Sequence, residues 1–304
     1  MAPTPAVVLG GTGYVAGELL RLIAGHPNLE LLAVTSEGSP GEPVAEAFPH
    51  LASAYPETHF RSLGEVTKLL AARPAVAVFS AAPHGVSAGL IEAVLAATAR
   101  AQVSARVVDI SADFRYPSAQ AYESVYGHAH PAAGLLRDFT CALPEHLEEL
   151  STPHVGHPGC FATAVLLAAV PLLALGLVEP TLFASGVTGS TGSGRKPVEG
   201  THHPLRHGDL YGYNALAHRH APEIVACARA ATGVEAELAF VPHSGPFARG
   251  IYVTVQARLT RALDSSEARG ALREYYARAP FVRVSGRAPH VKEVATSNFA
   301  HLSA

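Results

Sequence analysis

The residue best suited to covalent chemistry in this sequence is Cys160, which follows the turn-forming pair Pro158-Gly159. An uncharged apolar stretch begins at this point, so we predict that Cys160 starts a helix. A thiol at a helix N-terminus lies near N–H groups and the positive end of the helix dipole, which lower its pKa and raise the thiolate fraction. We therefore predict a nucleophile at Cys160. Cys141 and Cys227 lack this setting and are predicted to be core residues.

Acid–base chemistry beside the thiol would come from histidine, of which the sequence has 17. A thiolate nucleophile is usually activated by a neighbouring base. Residues 218–220 (His-Arg-His) precede Pro222, and proline is favoured in the first turn of a helix. This segment is therefore predicted to enter a helix and to supply a base and an anion contact. His243, between two predicted strands, is the alternative base, and the residues alone leave the choice open.

Three more histidines, His202, His203 and His207, lie in a polar, glycine-rich loop at residues 192–207. Zinc sites combine histidine with cysteine or carboxylate ligands at short, regular spacings. Neither residue type stands at such a spacing here, so we predict no metal site.

A second chemical motif opens the chain, where Gly10, Gly13 and Ala16 follow an apolar run and lead into a predicted helix. In such a turn, the first glycine permits the tight bend and the second lets the backbone approach a pyrophosphate. The small third residue lets the helix pack on the strand. The helix N-terminus adds N–H donors for the phosphates. We predict a dinucleotide-binding turn, the alternative being an ordinary strand-to-helix turn.

The residues after the second predicted strand would contact the ribose of a dinucleotide, and here they are Ser36 and Glu37. Glu37 could accept a hydrogen bond from a 2′-hydroxyl, which would favour NAD. Ser36 could contact a 2′-phosphate, which would favour NADP. A solvated loop position for Glu37 is the third alternative.

These residues need a scaffold, and the hydrophobic pattern predicts an α/β fold. Short apolar runs alternate with helical stretches in the first half, which is typical of a Rossmann-type parallel sheet with helices on both faces. The predicted strands there are residues 6–9, 29–35, 75–79 and 106–110, with helices at 17–24 and 90–101.

The second half predicts a different kind of domain. Strand runs occur at 181–187, 236–241 and 250–259, with helical stretches at 223–231 and 265–276. This order indicates an α+β catalytic domain with a mixed or antiparallel sheet. We place the dinucleotide-binding domain at residues 1–157 and the catalytic, substrate-binding and oligomerisation domain at 158–304.

Composition narrows the classes of protein. The chain has 304 residues, a net charge of −3 and no basic stripe, which argues against a nucleic-acid partner. Its three separated cysteines indicate a reducing compartment, and the N-terminus lacks a signal peptide, so we expect a cytoplasmic protein. Residues 161–178 carry no charge, but Pro171 and Gly176 within this alanine-rich stretch favour a buried core helix over a membrane span.

Several ordered motifs together resemble the N-acetyl-γ-glutamyl-phosphate reductase family. The resemblance runs from Val7 to about Phe299, and its specificity lies in the order and spacing of the motifs. They are residues 10–18 (GGTGYVAGE), 82–85 (APHG), 109–115 (DISADFR), 143–145 (LPE), 158–160 (PGC), 189–195 (GSTGSGR), 218–224 (HRHAPEI), 242–243 (PH) and 249–251 (RGI).

The resemblance implies an NADP-dependent oxidoreductase of arginine synthesis that converts a small-molecule acyl phosphate into a semialdehyde. In such an enzyme, Cys160 would displace phosphate to form a thioester, which then accepts a hydride. The base would be His220, with His218 as a substrate contact or alternate base. A homo-oligomer, either a dimer or a tetramer, is also implied.

The resemblance further implies which residues bind cofactor and substrate. Cofactor contacts are expected at Gly10, Thr12, Gly13, Tyr14, Val15, Ser36, Pro83 and Gly192. Substrate contacts are expected at Ser111, Arg115, Arg219, Glu223 and His243.

The sequence departs from the family pattern at three places. Glu37 stands where relatives commonly have arginine, and His157 stands where they have Asn or Gly. Relatives continue after the position of Asn298 with a strand and a glycine-containing helix that return to the nucleotide domain. That segment is expected to be absent here, because the chain ends at Ala304.

Two other functions remain as alternatives. A related reductase of lysine synthesis, which acts on an aminoadipyl or glutamyl phosphate linked to a carrier protein, shares nearly all of these motifs. A dinucleotide-sensing protein without catalysis would account for the glycine turn, but not for Cys160 together with residues 218–223.

Overall fold

The first unit of the fold is built from the alternating strands and helices at the start of the chain. In the computed structural model, which describes residues 2–304, this unit comprises the residues up to Cys141 together with Glu149–His157. Its strands are β1 (Thr4–Leu9), β2 (Leu29–Val34), β3 (Ala75–Ser80), β4 (Ser104–Asp109), β5 (Phe139–Cys141) and β6 (His154–Gly156). Its helices are α1 (Tyr14–Ala24), α2 (Val44–Ala47), α3 (Leu63–Leu70), α4 (Ser87–Arg100) and α5 (Ala119–Tyr126).

The six strands form one parallel sheet in the order β2-β1-β3-β4-β6-β5. Val7 and Leu9 of β1 pack into an apolar cluster with α3 and α4, while Ala6 and Val8 pack into a second cluster with α1. Alternate residues of a strand face opposite sides of a sheet, so helices cover both faces. The predicted Rossmann-type parallel sheet is thereby confirmed.

The second unit comprises Ala142–Glu148 and Pro158–Ala304. Residues 142–148 therefore group with it, although they precede the single boundary drawn from the sequence. Its strands are β7 (Val178–Thr188), β8 (Tyr211–Gly212), β9 (Glu237–Ser244), β10 (Ile251–Leu259), β11 (Val282–Val284) and β12 (Ala300–Leu302). Its helices are α6 (Cys160–Ala174), α7 (His203–Arg206), α8 (His220–Thr232), α9 (Ser265–Tyr275) and α10 (Val291–Val294).

A mixed sheet forms the core of the second unit, as the sequence predicted. Its order is β10-β7-β9-β8, with β7 and β9 parallel and the two outer pairs antiparallel. Helix α6 packs against α8, β7 and β10. Most of its side chains are buried, which confirms the core helix predicted for residues 161–178, although the helix ends earlier, at Ala174.

The short elements escaped prediction. Strands β5 and β6 have three residues each and β8 has two, so none shows the period that identifies a strand. Helix α8 begins at His220, three residues earlier than the helical pattern indicated. As a result, His220 is the first helical residue.

Candidate functional site

The glycine turn and the loop after β3 meet at the carboxyl ends of the neighbouring strands β1 and β3. Gly10 has a φ of +73°, and a Cβ atom there would lie 2.5 Å from Cα of Ala82. Its N–H donates to Oγ1 of Thr35 at 3.2 Å, which ties the turn to the end of β2. Glycine alone tolerates both the positive φ and the close approach. The turn therefore lies beside Pro83, at the carboxyl ends of the strands, where doubly wound sheets bind ligands.

The start of α1 is open to a phosphate group. Gly13 is the N-cap of this helix, and among the described residues no side chain caps it. A Cβ atom at Gly13 would meet nothing within 4 Å, and Tyr14 and Val15 are exposed beside it. Thr12 belongs to the same turn and is half-buried. Because the first N–H groups of a helix lack partners within the helix, this end fits the pyrophosphate of a dinucleotide.

The two residues after β2 have different partners. Ser36 is buried, and its Oγ accepts the N–H of Ser39 at 3.2 Å. Glu37 is exposed, and its Oε1 accepts the N–H of Leu63 at 2.9 Å, at the start of α3. None of the alternatives drawn from the sequence included this contact. It arises because a helix N-terminus attracts a carboxylate.

Two of the sequence motifs, residues 82–85 and 109–115, are hydrogen-bonded to each other. Oδ1 of Asp113 accepts the N–H of Gly85 at 2.8 Å. Ser111 donates its hydroxyl to Oδ2 of Asp109 at 2.7 Å and accepts the N–H of Asp113 at 3.0 Å. Asp109 is fully buried, and this burial raises its pKa. Ser111 is also buried, and its hydroxyl supports this loop.

Arg115 supports the segment that leads to Cys160. Its side chain is 5% exposed. Nε donates to the carbonyl of His157 and Nη2 to the carbonyl of Ile110, both at 2.9 Å. The N–H of His157 in turn donates to the carbonyl of Asp109 at 2.7 Å. Carbonyl groups in the protein interior need such donors, so this guanidinium holds the backbone that leads to Cys160.

Cys160 is the first residue of α6, as the Pro-Gly turn predicted, and it is exposed. Gly159 before it is the N-cap, with an extended backbone. The N–H of Gly159 donates to Oε1 of Glu223, a fully buried residue in the first turn of α8. The thiol therefore lies at the positive end of a helix whose N-cap is anchored, a setting that favours the thiolate. Cys227 is buried as predicted, whereas Cys141 is only partly buried.

Aromatic rings surround His218 next to the start of α6. The centroid of its ring lies 5.7 Å from that of Phe161, 5.5 Å from that of Phe240 and 5.7 Å from that of Tyr213. Nδ1 of His218 accepts the N–H of His220 at 3.1 Å, and the two imidazole centroids are 4.7 Å apart. The structure thus brings the predicted histidine pair together beside the residue that follows Cys160.

The protonation states in this cluster follow from burial. Burial lowers the pKa of His218, and the neighbouring Arg219 guanidinium lowers it further. A neutral His218 whose Nδ1 accepts a hydrogen bond carries its proton on Nε2. Burial raises the pKa of Tyr213 to about 12, with a further contribution from Cys160 close by. The cluster therefore combines a neutral imidazole and a protonated phenol with the thiol.

His243 connects to the same cluster through the backbone of β7. Its Nδ1 lies 3.3 Å from the carbonyl oxygen of Gly186. A Cβ atom at Gly186 would lie 2.5 Å from the Phe161 ring, so this ring packs directly on the glycine backbone. The backbone of Gly186 therefore lies between His243 and the aromatic ring next to Cys160.

The remaining predicted contacts are on the surface of the second unit. Arg219 is exposed at the N-cap of α8. Gly192 is exposed in the 3₁₀ segment Ser190–Ser193. The other predicted cofactor contacts all belong to the first unit.

Arg206 is a residue that the sequence analysis missed. It is 7% exposed, and Nη1 donates to Oγ of Ser244 at 2.6 Å while Nη2 donates to the carbonyl of Gly245. Ser244 follows His243 at the end of β9, so Arg206 fixes the backbone beside that histidine. The one sequence feature that could have indicated this role is the position of Arg206 in the polar loop at residues 192–207, next to the histidines considered as metal ligands. Among residues 2–304, no three histidine, cysteine or acidic side chains form a group that could hold a metal ion.

Family models match both halves of the chain. A model described as "Semialdehyde dehydrogenase, NAD binding domain" matches residues 5–151. A second, described as "Semialdehyde dehydrogenase, dimerisation domain", matches residues 160–304.

Two relatives illustrate the similarity over nearly the whole chain. The N-acetyl-gamma-glutamyl-phosphate reductase of Nitrosococcus oceani is 37% identical over 303 residues, covering 98% of this chain and 84% of its own. That of Methanopyrus kandleri is 37% identical over 299 residues, covering 96% and 83%.

Solved structures show the same fold at low sequence identity. Aspartate semialdehyde dehydrogenase II of Vibrio cholerae, complexed with ASA, has a TM-score of 0.67 and 13% identity, over 97% of this chain and 85% of that one. Aspartate semialdehyde dehydrogenase of Candida albicans with NADP has a TM-score of 0.61 and 13% identity, over 96% and 86%. In the part of the chain that the structure describes, every helix is too short or too polar to cross a bilayer.

Proposed function

The chain belongs to the N-acetyl-γ-glutamyl-phosphate reductase family, and from this premise we propose its reaction. It reduces N-acetyl-γ-glutamyl phosphate to the corresponding semialdehyde with NADPH and releases inorganic phosphate. The observation that carries the proposal is the exposed Cys160 at the N-terminus of α6, with its N-cap held by Glu223.

Cys160 is the nucleophile of this reaction. Its thiolate attacks the acyl carbon, the bond from that carbon to the phosphate oxygen breaks, and phosphate leaves with the electron pair. The resulting thioester is a better hydride acceptor than a carboxylate. A reduced nicotinamide, when bound, would supply the hydride. When the carbon–sulfur bond then breaks, Cys160 takes back the electron pair as thiolate and the aldehyde is released.

His220 is the base that takes the thiol proton. It opens α8, and its backbone N–H is bonded to the neutral His218, so the two imidazoles are held as a pair. His218 orients this pair from within the aromatic cluster. Arg219 and His243 are the residues we assign to the anionic groups of the substrate, because Arg219 is exposed and charged and His243 lies beside the same cluster.

Glu223, Ser111 and Arg115 act as positioning residues. Glu223 fixes the N-cap of α6 through Gly159. Arg115 and the Ser111–Asp109 pair hold the loop and the carbonyl of His157, directly before the cysteine turn.

The cofactor is a nicotinamide dinucleotide, and within that class we propose NADP. The residues that we propose as cofactor contacts are Gly10, Thr12, Gly13, Tyr14, Val15, Ser36, Pro83 and Gly192. The open N-terminus of α1 supports the pyrophosphate site. The proposed homo-oligomer has the support of the dimerisation-domain match to residues 160–304, and sedimentation velocity of the purified protein would test it.

The test of the reaction runs in reverse, because the semialdehyde is easier to handle than the acyl phosphate. The protein is incubated with NADP, phosphate and N-acetyl-glutamate semialdehyde, and the absorbance of NADPH is followed. We expect activity in the wild type and in Cys227→Ser, and none above background in Cys160→Ser, since a hydroxyl is far less acidic than a thiol. Substantial activity in Cys160→Ser would remove Cys160 from the mechanism. Faster turnover of the aminoadipate analogue would assign the substrate differently.

A further inference from the structure

We propose that Arg61 is the residue that selects NADP, by binding the 2′-phosphate of the adenosine ribose. The inference rests on the proposed function, which assigns NADP to this chain. It concerns the end of β2, where this chain has Ser36 and Glu37.

The backbone places Arg61 beside the end of β2. Thr35 and Arg61 form a parallel β-bridge, in which the N–H of Arg61 donates to the carbonyl of Val34 at 2.9 Å. The N–H of Ser36 donates to the carbonyl of Arg61 at 3.1 Å. Arg61 is therefore the direct neighbour of the residues that meet the ribose in a doubly wound fold.

The register of this bridge also defines the side of the sheet. Residues paired across two strands have their side chains on the same face. Thr35 uses its side chain to accept the N–H of Gly10 at 3.2 Å, in the turn that fits the pyrophosphate. Arg61 consequently lies on the face and at the edge where the glycine turn meets β2.

The charge of Arg61 is available for a ligand. The residue is exposed, and within residues 2–304 its side chain has no hydrogen bond or ion pair. Two acids lie four positions from Arg61 in sequence, Glu57 and Glu65. Hydrogen bonds from Ser62 lower the pKa of Glu65, and the charge of Arg61 adds to this. The carboxylate of Glu65 is hydrogen-bonded by Ser62, whose N–H and hydroxyl donate to Oε2 at 2.8 and 2.7 Å. A guanidinium binds phosphate through two parallel hydrogen bonds, which makes arginine well suited to a 2′-phosphate.

The acid at position 37 does not cancel this charge. Its carboxylate accepts the N–H of Leu63 at the start of α3, where the positive end of the helix stabilises it. A 2′-phosphate near Ser36 would therefore meet the exposed Arg61 guanidinium, while the carboxylate of Glu37 is engaged by α3.

Binding of cofactor fragments tests the inference independently of catalysis. The dissociation constants of 2′,5′-ADP and 5′-AMP, which differ by the 2′-phosphate alone, are measured by calorimetry for the wild type, Arg61→Gln and Arg61→Lys. Arg73→Gln is the matched control, because Arg73 is also exposed but lies before the amino end of β3, whereas the glycine turn follows the carboxyl end of β1. Melting temperatures check that every variant is folded.

We expect the wild type and Arg73→Gln to prefer 2′,5′-ADP by about tenfold to a hundredfold, the typical range for a charged contact with phosphate. Arg61→Gln should lose most of this preference, and Arg61→Lys should keep part of it. The ratio of kcat/KM for NADPH and NADH should change in parallel. A preference that survives in Arg61→Gln would overturn the role of Arg61 while leaving the NADP proposal intact. Equal binding of the two fragments by the wild type would instead overturn the NADP assignment itself.

Discussion

The carboxylate of Glu223 accepts the backbone N–H of Gly159, so the residue before the nucleophile is held by a side chain 64 positions further along the chain. Both residues are buried, and Cys160, one position on, is exposed. The contact fixes the N-cap of α6 without covering the thiol. Glu223 thereby links the start of α8, which carries His220, to the start of α6.

Removing this acceptor should weaken both the fold and the nucleophile. Glu223→Ala leaves a buried N–H without a partner, which costs about 1–3 kcal/mol of unfolding free energy. We expect slower alkylation of Cys160 by iodoacetamide and a kcat reduced at least about tenfold, since small displacements of reacting groups have effects of this size. Urea unfolding and alkylation kinetics measure the two effects.

Two variants make the Glu223 test specific. Glu223→Gln keeps an oxygen acceptor and should lie between Glu223→Ala and the wild type. Glu267→Ala is the matched control, because Glu267 also accepts a backbone N–H at a helix start, that of Asp264 at 2.9 Å, but is exposed. Wild-type alkylation in Glu223→Ala would show that the N-cap contact does not position Cys160.

Substitutions of His218 and His220 should lower kcat to different extents. His220→Ala should lower kcat by roughly 10²–10⁴, the usual contribution of a general base. His218→Ala removes the acceptor of the His220 N–H and should have a smaller effect on kcat than His220→Ala. The exposed His202 provides the control, and His202→Ala should resemble the wild type. If His218→Ala and His220→Ala both turn over at nearly the wild-type rate while His243→Ala is inactive, the base is His243.

Alanine substitutions of the two glycines that flank α1, Gly10 and Gly25, should differ strongly in their effect on the free energy of unfolding. Gly10→Ala forces a positive φ on alanine and brings its Cβ within 2.5 Å of Ala82, so we expect a loss of about 2–4 kcal/mol of unfolding free energy. Gly25, after α1, has a φ of −103° and open space around its Cα, so Gly25→Ala should stay within about 0.5 kcal/mol. Denaturant midpoints of both variants check this, and equal losses would contradict it.

His146 predicts a pH dependence of stability. Its Nε2 lies 3.0 Å from the hydroxyl of Tyr276, and burial lowers its pKa from the ordinary 6.5 to about 4. In the unfolded chain the imidazole of His146 takes up a proton near pH 6.5, whereas in the folded chain it takes up the proton only at about pH 4. The stabilisation is therefore fully present above pH 6.5 and is lost as the pH falls to about 4. The loss is about 3 kcal/mol.

The His146 contribution is isolated by comparison with a variant. His146→Gln retains a hydrogen-bond donor for Tyr276 but does not titrate, so its unfolding free energy should fall less on acidification than that of the wild type. The exposed His50 supplies the control variant His50→Gln, which should follow the wild type. Parallel pH curves for the wild type and His146→Gln would rule out this role.

Sequence patterns were sufficient where the signal is local. The strand–turn–helix at Gly10–Gly13 and the helix start at Cys160 depend on neighbouring residues, and both were predicted. The partner of Gly159 could not be predicted, because it comes from Glu223 through the packing of α6 on α8.

The ribose edge shows the same limit. Glu37 was considered as a ribose contact or a solvated acid, but the folded chain brings the N-terminus of α3 to it. Arg61 drew no attention, since its proximity to Thr35 arises from a bridge between residues 26 positions apart in sequence. Arg206 was overlooked for a similar reason, because its partners Ser244 and Gly245 lie on another strand end.

Residues 142–148 belong to the second unit although they lie between two segments of the first, and this affects how the second unit can be expressed on its own. The chain leaves the first unit after Cys141, rejoins it at Glu149 and leaves it again at Pro158. His146 lies in residues 142–148 and meets the hydroxyl of Tyr276, which itself donates to the carbonyl of Leu167 at 2.7 Å. A gene fragment starting at Pro158 would therefore encode the second unit without one of its own pieces. A fragment that starts at Ala142, with a short flexible linker replacing residues 149–157, would preserve the complete unit for separate expression.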